Sequence, residues 1–202
     1  WGTRYRATIT ASPAKLVAFV FSLTQRYLFV FSNARLDIYQ PDGTALTPLT
    51  SCPWTTGDLA AMTFTQSGDT MVVFGSAFAT QIIKRTGATS FTRSALTPET
   101  AAGGFPVYEP YYKFAEPAVT LTPSGTTGSI TITASAAAFT ASHVGTRIRH
   151  KKKTMTVTAF SSSTVLTATV NETLTDTSAA TDWDEQVWSS AHGYPRCGAF
   201  HS

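Results

Sequence analysis

The residues of this chain best suited to chemistry lie between Asp182 and Arg196. There Asp182-Trp-Asp-Glu185 sets three carboxylates beside a tryptophan, and Trp188, His192 and a Gly193-Tyr-Pro195 turn follow. Two carboxylates flanking a bond, with aromatic rings to stack on a sugar, are what glycoside hydrolysis requires. Asp184 and Glu185 are sequence neighbours, however, and in a strand they point to opposite faces. The stretch therefore reads as packing, with Trp183 and Trp188 as candidate interface aromatics at a module boundary. The histidines His143, His150, His192 and His201 stand in no i, i+2 or i+4 spacing typical of metal ligands. No serine occupies a Gly-x-Ser-x-Gly elbow. Cys52 and Cys197 belong to no CxxC pattern and are expected to be free thiols. The expectation is a non-enzymatic protein with no catalytic residues, no metal and no cofactor.

The sharpest charge feature is Arg147-Ile-Arg-His-Lys-Lys-Lys153. Strand geometry puts Arg147 and Arg149 on one face, and Lys151, Lys152 and Lys153 fall at a hairpin tip. Such a tip can hold phosphate backbone without reading sequence. It serves equally as a solubilising loop or as a contact to an acidic subunit surface. No aromatic interleaves the lysines as a single-strand groove would require. These five residues are the candidate DNA, channel or subunit contacts. A second candidate surface is the Pro- and Tyr-rich stretch from Thr97 to Pro117, which offers Tyr108, Tyr111 and Tyr112. Prolines at 106, 110 and 117 bar it from a central strand, and it reads as an extended aromatic loop.

The elements that must position these residues are strands. Hydrophobic residues make up 43% of the 202-residue chain and charged ones only 13%, with abundant Thr, Ser and Ala, a β-rich composition. A net charge of +3 permits an acidic partner without requiring one. Leu16–Phe21, Tyr27–Phe31 and Leu36–Tyr39 are apolar runs of strand length. Both faces of Tyr27–Phe31 are apolar, so that strand should be covered on both sides. Asp58 to Thr65 is expected to open with one helical turn. Thr70–Gly75 should return antiparallel across a Gln66–Asp69 loop. Strands recurring at about ten-residue intervals point to a sandwich, barrel or propeller. Ser129–Thr133 alternates cleanly, and Ala136–His143 is expected to form a short helix ended by Gly145. The fold class is all-β, with a propeller-like or sandwich main domain over residues 1–117, a small inserted β module over 118–176, and a return to the main domain over 177–202. No apolar run reaches the roughly 18 residues of a membrane-spanning helix.

The ordered series Leu16–Ser22, Gln25–Phe31, Leu36–Tyr39 and Asp58–Met71, continued by Arg85–Phe91, Phe139–Ile148 and Trp183–Arg196, resembles the tail tubular protein B, or nozzle, family of short-tailed bacteriophages and related prophage tail proteins. The resemblance implies a virion structural protein of the phage tail, assembled in the host cytoplasm as a six-fold homo-oligomeric ring around the DNA ejection channel. Its implied partners are adaptor and fibre proteins and, transiently and without specificity, phage DNA. Family members are several times longer, so the chain is expected to be an N-proximal or central piece. Cys197-Gly198 and the triple lysine depart from the family pattern. A second expectation is a related tail protein whose aromatic loops bind host surface polysaccharide.

Overall fold

Alternating apolar and polar residues, broken by short turn signals, fold here into antiparallel meanders. The structure is a computed structural model that describes residues 8–9, 13–99 and 108–200. The part of the aromatic loop at residues 100–107 lies outside the described residues. The chain divides into two units, one of Trp1–Thr97 with Tyr194–Ser202 and one of Pro98–Gly193. Among the described residues it is nearly all β, and no sheet closes into a barrel. No helix among the described residues is long and apolar enough to cross a membrane.

In the first unit, β1 (Lys15–Val20), β2 (Arg26–Ser32), β3 (Arg35–Tyr39) and β4 (Leu49–Thr50) form one four-stranded sheet in chain order. A second is formed by β5 (Thr63–Ser67), β6 (Thr70–Phe74), β7 (Gln81–Gly87) and β8 (Ser90–Ala95). Tight turns set this up-and-down order. Ser32 pairs with Arg35 across Asn33-Ala34, and Ser67 pairs with Thr70 across Gly68-Asp69, where Gly68 takes the left-handed φ of 53°. The two sheets share one core, to which Phe19, Phe29, Phe31 and Ile38 come from the first and Met71, Val73 and Ile83 from the second. Each such side chain contributes about 1.5–3 kcal/mol by leaving water. The arrangement is sandwich-like. Phe29, Val30 and Phe31 are all fully buried, so β2 is covered on both faces from Val30 onward, whereas Leu28, on the same face as Val30, is 37% exposed and the covering its sequence suggests does not extend to it. The helical turn expected at Asp58 is present, with the Met62 N–H donating to Asp58 O at 3.0 Å, and the Asp58 carboxylate caps its start by accepting both the Thr55 N–H and the Thr55 hydroxyl at 2.7 Å.

In the second unit, β9 (Tyr111–Tyr112), β10 (Leu121–Pro123), β11 (Ser129–Ala134), β12 (Arg147–His150), β13 (Lys153–Ser162), β14 (Val165–Val170) and β15 (Trp183–Gln186) build one seven-stranded antiparallel sheet. Its order is β10-β11-β14-β13-β12-β15-β9. Bulges between Val157 and Ala159 and between Phe160 and Ser162 interrupt the β13–β14 ladder, and bulges of this kind bend a strand. One core gathers Leu121, Ile132, Ile148, Met155, Leu166 and Trp183.

Three expectations are corrected here. The second unit runs from Pro98 to Gly193, wider than residues 118–176, because β15 adds to β12 and β9 adds to β15. Residues 177–193 thus belong to the second unit, and only 194–202 return to the first, where the Tyr194 N–H donates to Ser76 O at 3.2 Å. Gly198 lies so close to Phe74 that a Cβ on it would sit 2.5 Å from the ring, which accounts for a glycine at that position. The expected Ala136–His143 helix reduces to a single 3-10 turn, Ala141–His143, since the Ala138 and Phe139 N–H groups donate instead to Ser163 O at 2.8 and 2.9 Å. Finally, Tyr111 and Tyr112 are not loop but an edge strand, placed just after Pro110, where a missing donor costs no ladder hydrogen bond.

Candidate functional site

The candidate residues converge on β12 and β15, which pair antiparallel with Ile148 opposite Glu185, Arg149 opposite Asp184 and His150 opposite Trp183. The two-residue period of a strand sends Arg147, Arg149, Asp184 and Gln186 to one face and Ile148, His150, Trp183 and Glu185 to the other. Burial alternates along both strands in that sense.

On the first face each arginine meets a carboxylate. The Arg147 guanidinium donates to Glu109 through Nε at 2.6 Å and through Nη2, and Glu109 also accepts from the Tyr111 hydroxyl and Gln186 Nε2, each at 2.7 Å. The hydrogen bonds from Arg147 hold its proton more tightly than usual, while burial together with Glu109 pushes the Tyr111 phenol above its ordinary range. Arg149 is bidentate to Asp184, at 2.7 and 2.6 Å, and its guanidinium stacks 3.8 Å from the Tyr111 ring centroid. Its proton too is held more tightly, chiefly by Asp184.

The hairpin tip has the same pattern. Lys151 Nζ donates to both oxygens of Asp176, at 2.8 and 2.7 Å, and its hydrogen bond is the leading reason that the Asp176 carboxyl lies well below the usual range. Lys152 pairs with Asp182 at 3.1 Å and Asp184 at 3.4 Å, and Lys153 with Glu172 at 3.6 Å. All five candidate cations therefore have acidic partners within the second unit. The predicted tip is present, and its positive charge is compensated on the spot.

Among the candidate aromatics, Tyr108, Tyr112 and Trp188 are exposed and Tyr111 is half-buried behind Arg149. Trp183 is only 2% exposed, and its Nε1–H donates to Val119 O at 2.8 Å, so it is a core residue and not an interface aromatic. Its position opposite His150 on the inward face gives the reason.

The inward face holds a group that local spacing did not disclose. His143 Nε2 lies 2.8 Å and His192 Nε2 3.0 Å from the same Oε2 of Glu185. Glu185 and His143 are buried. Each residue is brought there by a different element: β15 carries Glu185, the 3-10 turn carries His143, and a closed turn between Ser189 and Gly193 carries His192. The only signal in the sequence was the opposite facing of Asp184 and Glu185, which gave each carboxylate a different set of neighbours. Glu109 was likewise hidden, in a loop without periodicity. No protein-family model matches the chain, and no curated protein matches it.

Proposed function

We propose that this chain is a structural, non-enzymatic component of a phage tail that assembles with copies of itself into a ring around the ejection channel. The observation that carries the reading is an apolar row on the solvent face of β1 and β2. Leu16, Val20 and Leu28 are 52%, 49% and 37% exposed. Ala18 stands between the first two and pairs with Leu28 across the sheet, while Leu23 extends the row at the β1–β2 loop. Exposed apolar surface of this kind, in a chain of low charge, suits a protein–protein contact. The strands that bear it fall within the segments that resemble the nozzle family, Leu16–Ser22 and Gln25–Phe31, and the occupant proposed for it is a second copy of the chain. The paired cations of the second unit also favour assembly, since DNA passes a charge-compensated surface without being retained. Adaptor and fibre proteins are the further partners, and the virion is the location.

A second reading is favoured by the exposed rings of Tyr108, Tyr112 and Trp188, which could stack on host polysaccharide. Mass photometry and negative-stain imaging of the purified chain separate the two. Assembly predicts six-fold rings with an open pore, dispersed to single chains by Leu16→Glu combined with Leu28→Glu. A protein that stays monomeric at high concentration and shifts on adding host glycan refutes assembly.

A further inference from the structure

His143, Glu185 and His192 take no part in the proposed ring contact, and their arrangement is independent of it. Their ligand-capable atoms all lie within 4.8 Å of one another. We propose that these three residues form a binding site for a divalent transition-metal ion of the zinc type, with a fourth coordination position left to water or an external ligand.

The donor set selects the ion. Two imidazoles and one carboxylate suit Zn²⁺ and its neighbours in the first transition row, whereas Ca²⁺ and Mg²⁺ take oxygen ligands. Zinc bonds of about 2.0–2.2 Å place tetrahedral ligand atoms about 3.3 Å apart. The Nε2–Oε2 separations of 2.8 and 3.0 Å are therefore short of that spacing by only about 0.3–0.5 Å. Without the ion, the two imidazole N–H groups donate to the carboxylate and satisfy it. With the ion, the Nε2 lone pairs turn to the metal and the ring protons move to Nδ1.

The surroundings are prepared for that exchange at His143. A ligating histidine donates its other ring N–H to a backbone carbonyl or carboxylate, and Thr140 O lies 3.1 Å from His143 Nδ1. The Thr140 N–H, 3.0 Å from the same nitrogen, donates to Nδ1 when the ion is absent and must turn away from it when the ring proton moves there. His192 is clamped by Phe114, stacked at 3.6 Å between centroids and 11° between planes. Its turn is closed by reciprocal Ser189 and Gly193 backbone hydrogen bonds of 3.0 and 2.7 Å. The Ser190 hydroxyl donates to Ser142 O at 2.7 Å, tying that turn to the one bearing His143. The two imidazoles are thus held against each other by contacts that do not involve Glu185.

Access is also provided. The His192 side chain keeps 17% of its exposure, while those of Glu185 and His143 keep 3% and 4%. An open cleft of about 420 Å³ is lined by Phe114, which stacks on His192, and by Phe139 and Thr140, which contact His143. The three ligands do not line the cleft themselves, and the partly exposed His192 imidazole is the ligand an arriving ion meets first.

The test titrates the whole chain, stripped with EDTA, with ZnCl₂ by calorimetry, and then with CoCl₂ while following visible absorption. One Zn²⁺ per chain at micromolar or tighter Kd, a Tm that rises with zinc and falls back with EDTA, and the intense visible bands of tetrahedral Co²⁺ are the expected results. His192→Ala, at the partly exposed ligand and outside the core, should weaken zinc by at least about tenfold and abolish the Co²⁺ bands. The variant's metal-free Tm reports whether it has folded. If Glu185→Gln fails to fold, His192→Ala still decides the question. Zinc affinity unchanged in His192→Ala, millimolar binding in the parent, or an equal response to MgCl₂ overturns the proposal.

Discussion

Replacing Arg147 with alanine should destabilise the second unit by about 3 kcal/mol, at the low end of the 3–5 kcal/mol that comes from stranding one partner of a buried ion pair. The Glu109 side chain is 1% exposed and cannot turn to water in place of its lost partner. It accepts four hydrogen bonds: two from Arg147, one from the Tyr111 hydroxyl and one from Gln186. Alanine removes the two bonds from the guanidinium and leaves the two from neutral donors, each worth about 1.5–3 kcal/mol because the acceptor is charged, which is why the lower end applies. The converse change, Glu109→Gln, should cost less, because the Arg147 side chain keeps 27% exposure and can find solvent. Adding Glu109→Gln to Arg147→Ala should recover at least about 1 kcal/mol, since the amide removes the stranded charge, its oxygen accepting from Gln186 Nε2 and its N–H donating to the Tyr111 hydroxyl oxygen. Urea unfolding gives the free energies for the double-mutant cycle. Hydrogen exchange on peptides covering β12 and β15 localises the loss to the second unit. A loss below about 1 kcal/mol for Arg147→Ala, or a double variant no more stable than Arg147→Ala alone, would refute the claim that Glu109 is a buried charge dependent on this arginine.

Two further changes probe the hairpin between β12 and β13. Lys151 and Lys152 hold left-handed φ values of 48° and 66°, as a two-residue type I′ turn requires. Lys152→Gly should therefore raise stability by about 0.5–1 kcal/mol. It relieves a left-handed cost of about 1–2 kcal/mol, offset by glycine's freedom in the unfolded chain and by the loss of exposed ion pairs. A lowered Tm would show that the pairs to Asp182 and Asp184 outweigh the strain. His150, fully buried, donates from Nε2 to Ser178 O at 3.1 Å, and burial lowers its pKa, with Lys151 adding to that effect and Asp176 and Asp182 opposing it. With the folded value below the unfolded one near 6.5, the unfolded chain binds more protons below that pH. Stability should then fall as pH drops below about 6.5, by no more than about 1.4 kcal/mol per pH unit from this group, and gain nothing from it above. His150→Gln keeps a donor for Ser178 and should flatten the stability profile between pH 7 and 5; an unchanged slope disproves the assignment.

Strand identity and facing were legible because they depend on a local period of two. Ser129–Ala134 alternates in burial as its sequence alternates in polarity, and Asp184 and Glu185 do face opposite sides. The double covering of β2 was legible only in part: both of its faces are apolar, and Val30 is buried, but Leu28 on the same face is exposed. The aromatic identity of Trp183, by contrast, did not say whether it lay in a core or on a surface, and its position on β15 decided that.

What only the tertiary structure decided was partnership across the chain. Arg147 to Lys153 read as a positive tip, yet its charges are cancelled by acids as distant as Glu109, 38 residues from Arg147. His143 meets Glu185 across 42 residues. The second pairing needs β15 docked on β12 in one register and the first needs β9 docked on β15 as well, and that docking is made by backbone hydrogen bonds, for which every residue supplies a carbonyl and every residue but proline an N–H. The sequence by itself determined which side chains share a face of each strand; the register between strands, which no local pattern encodes, determined which charges and ligands those faces bring together.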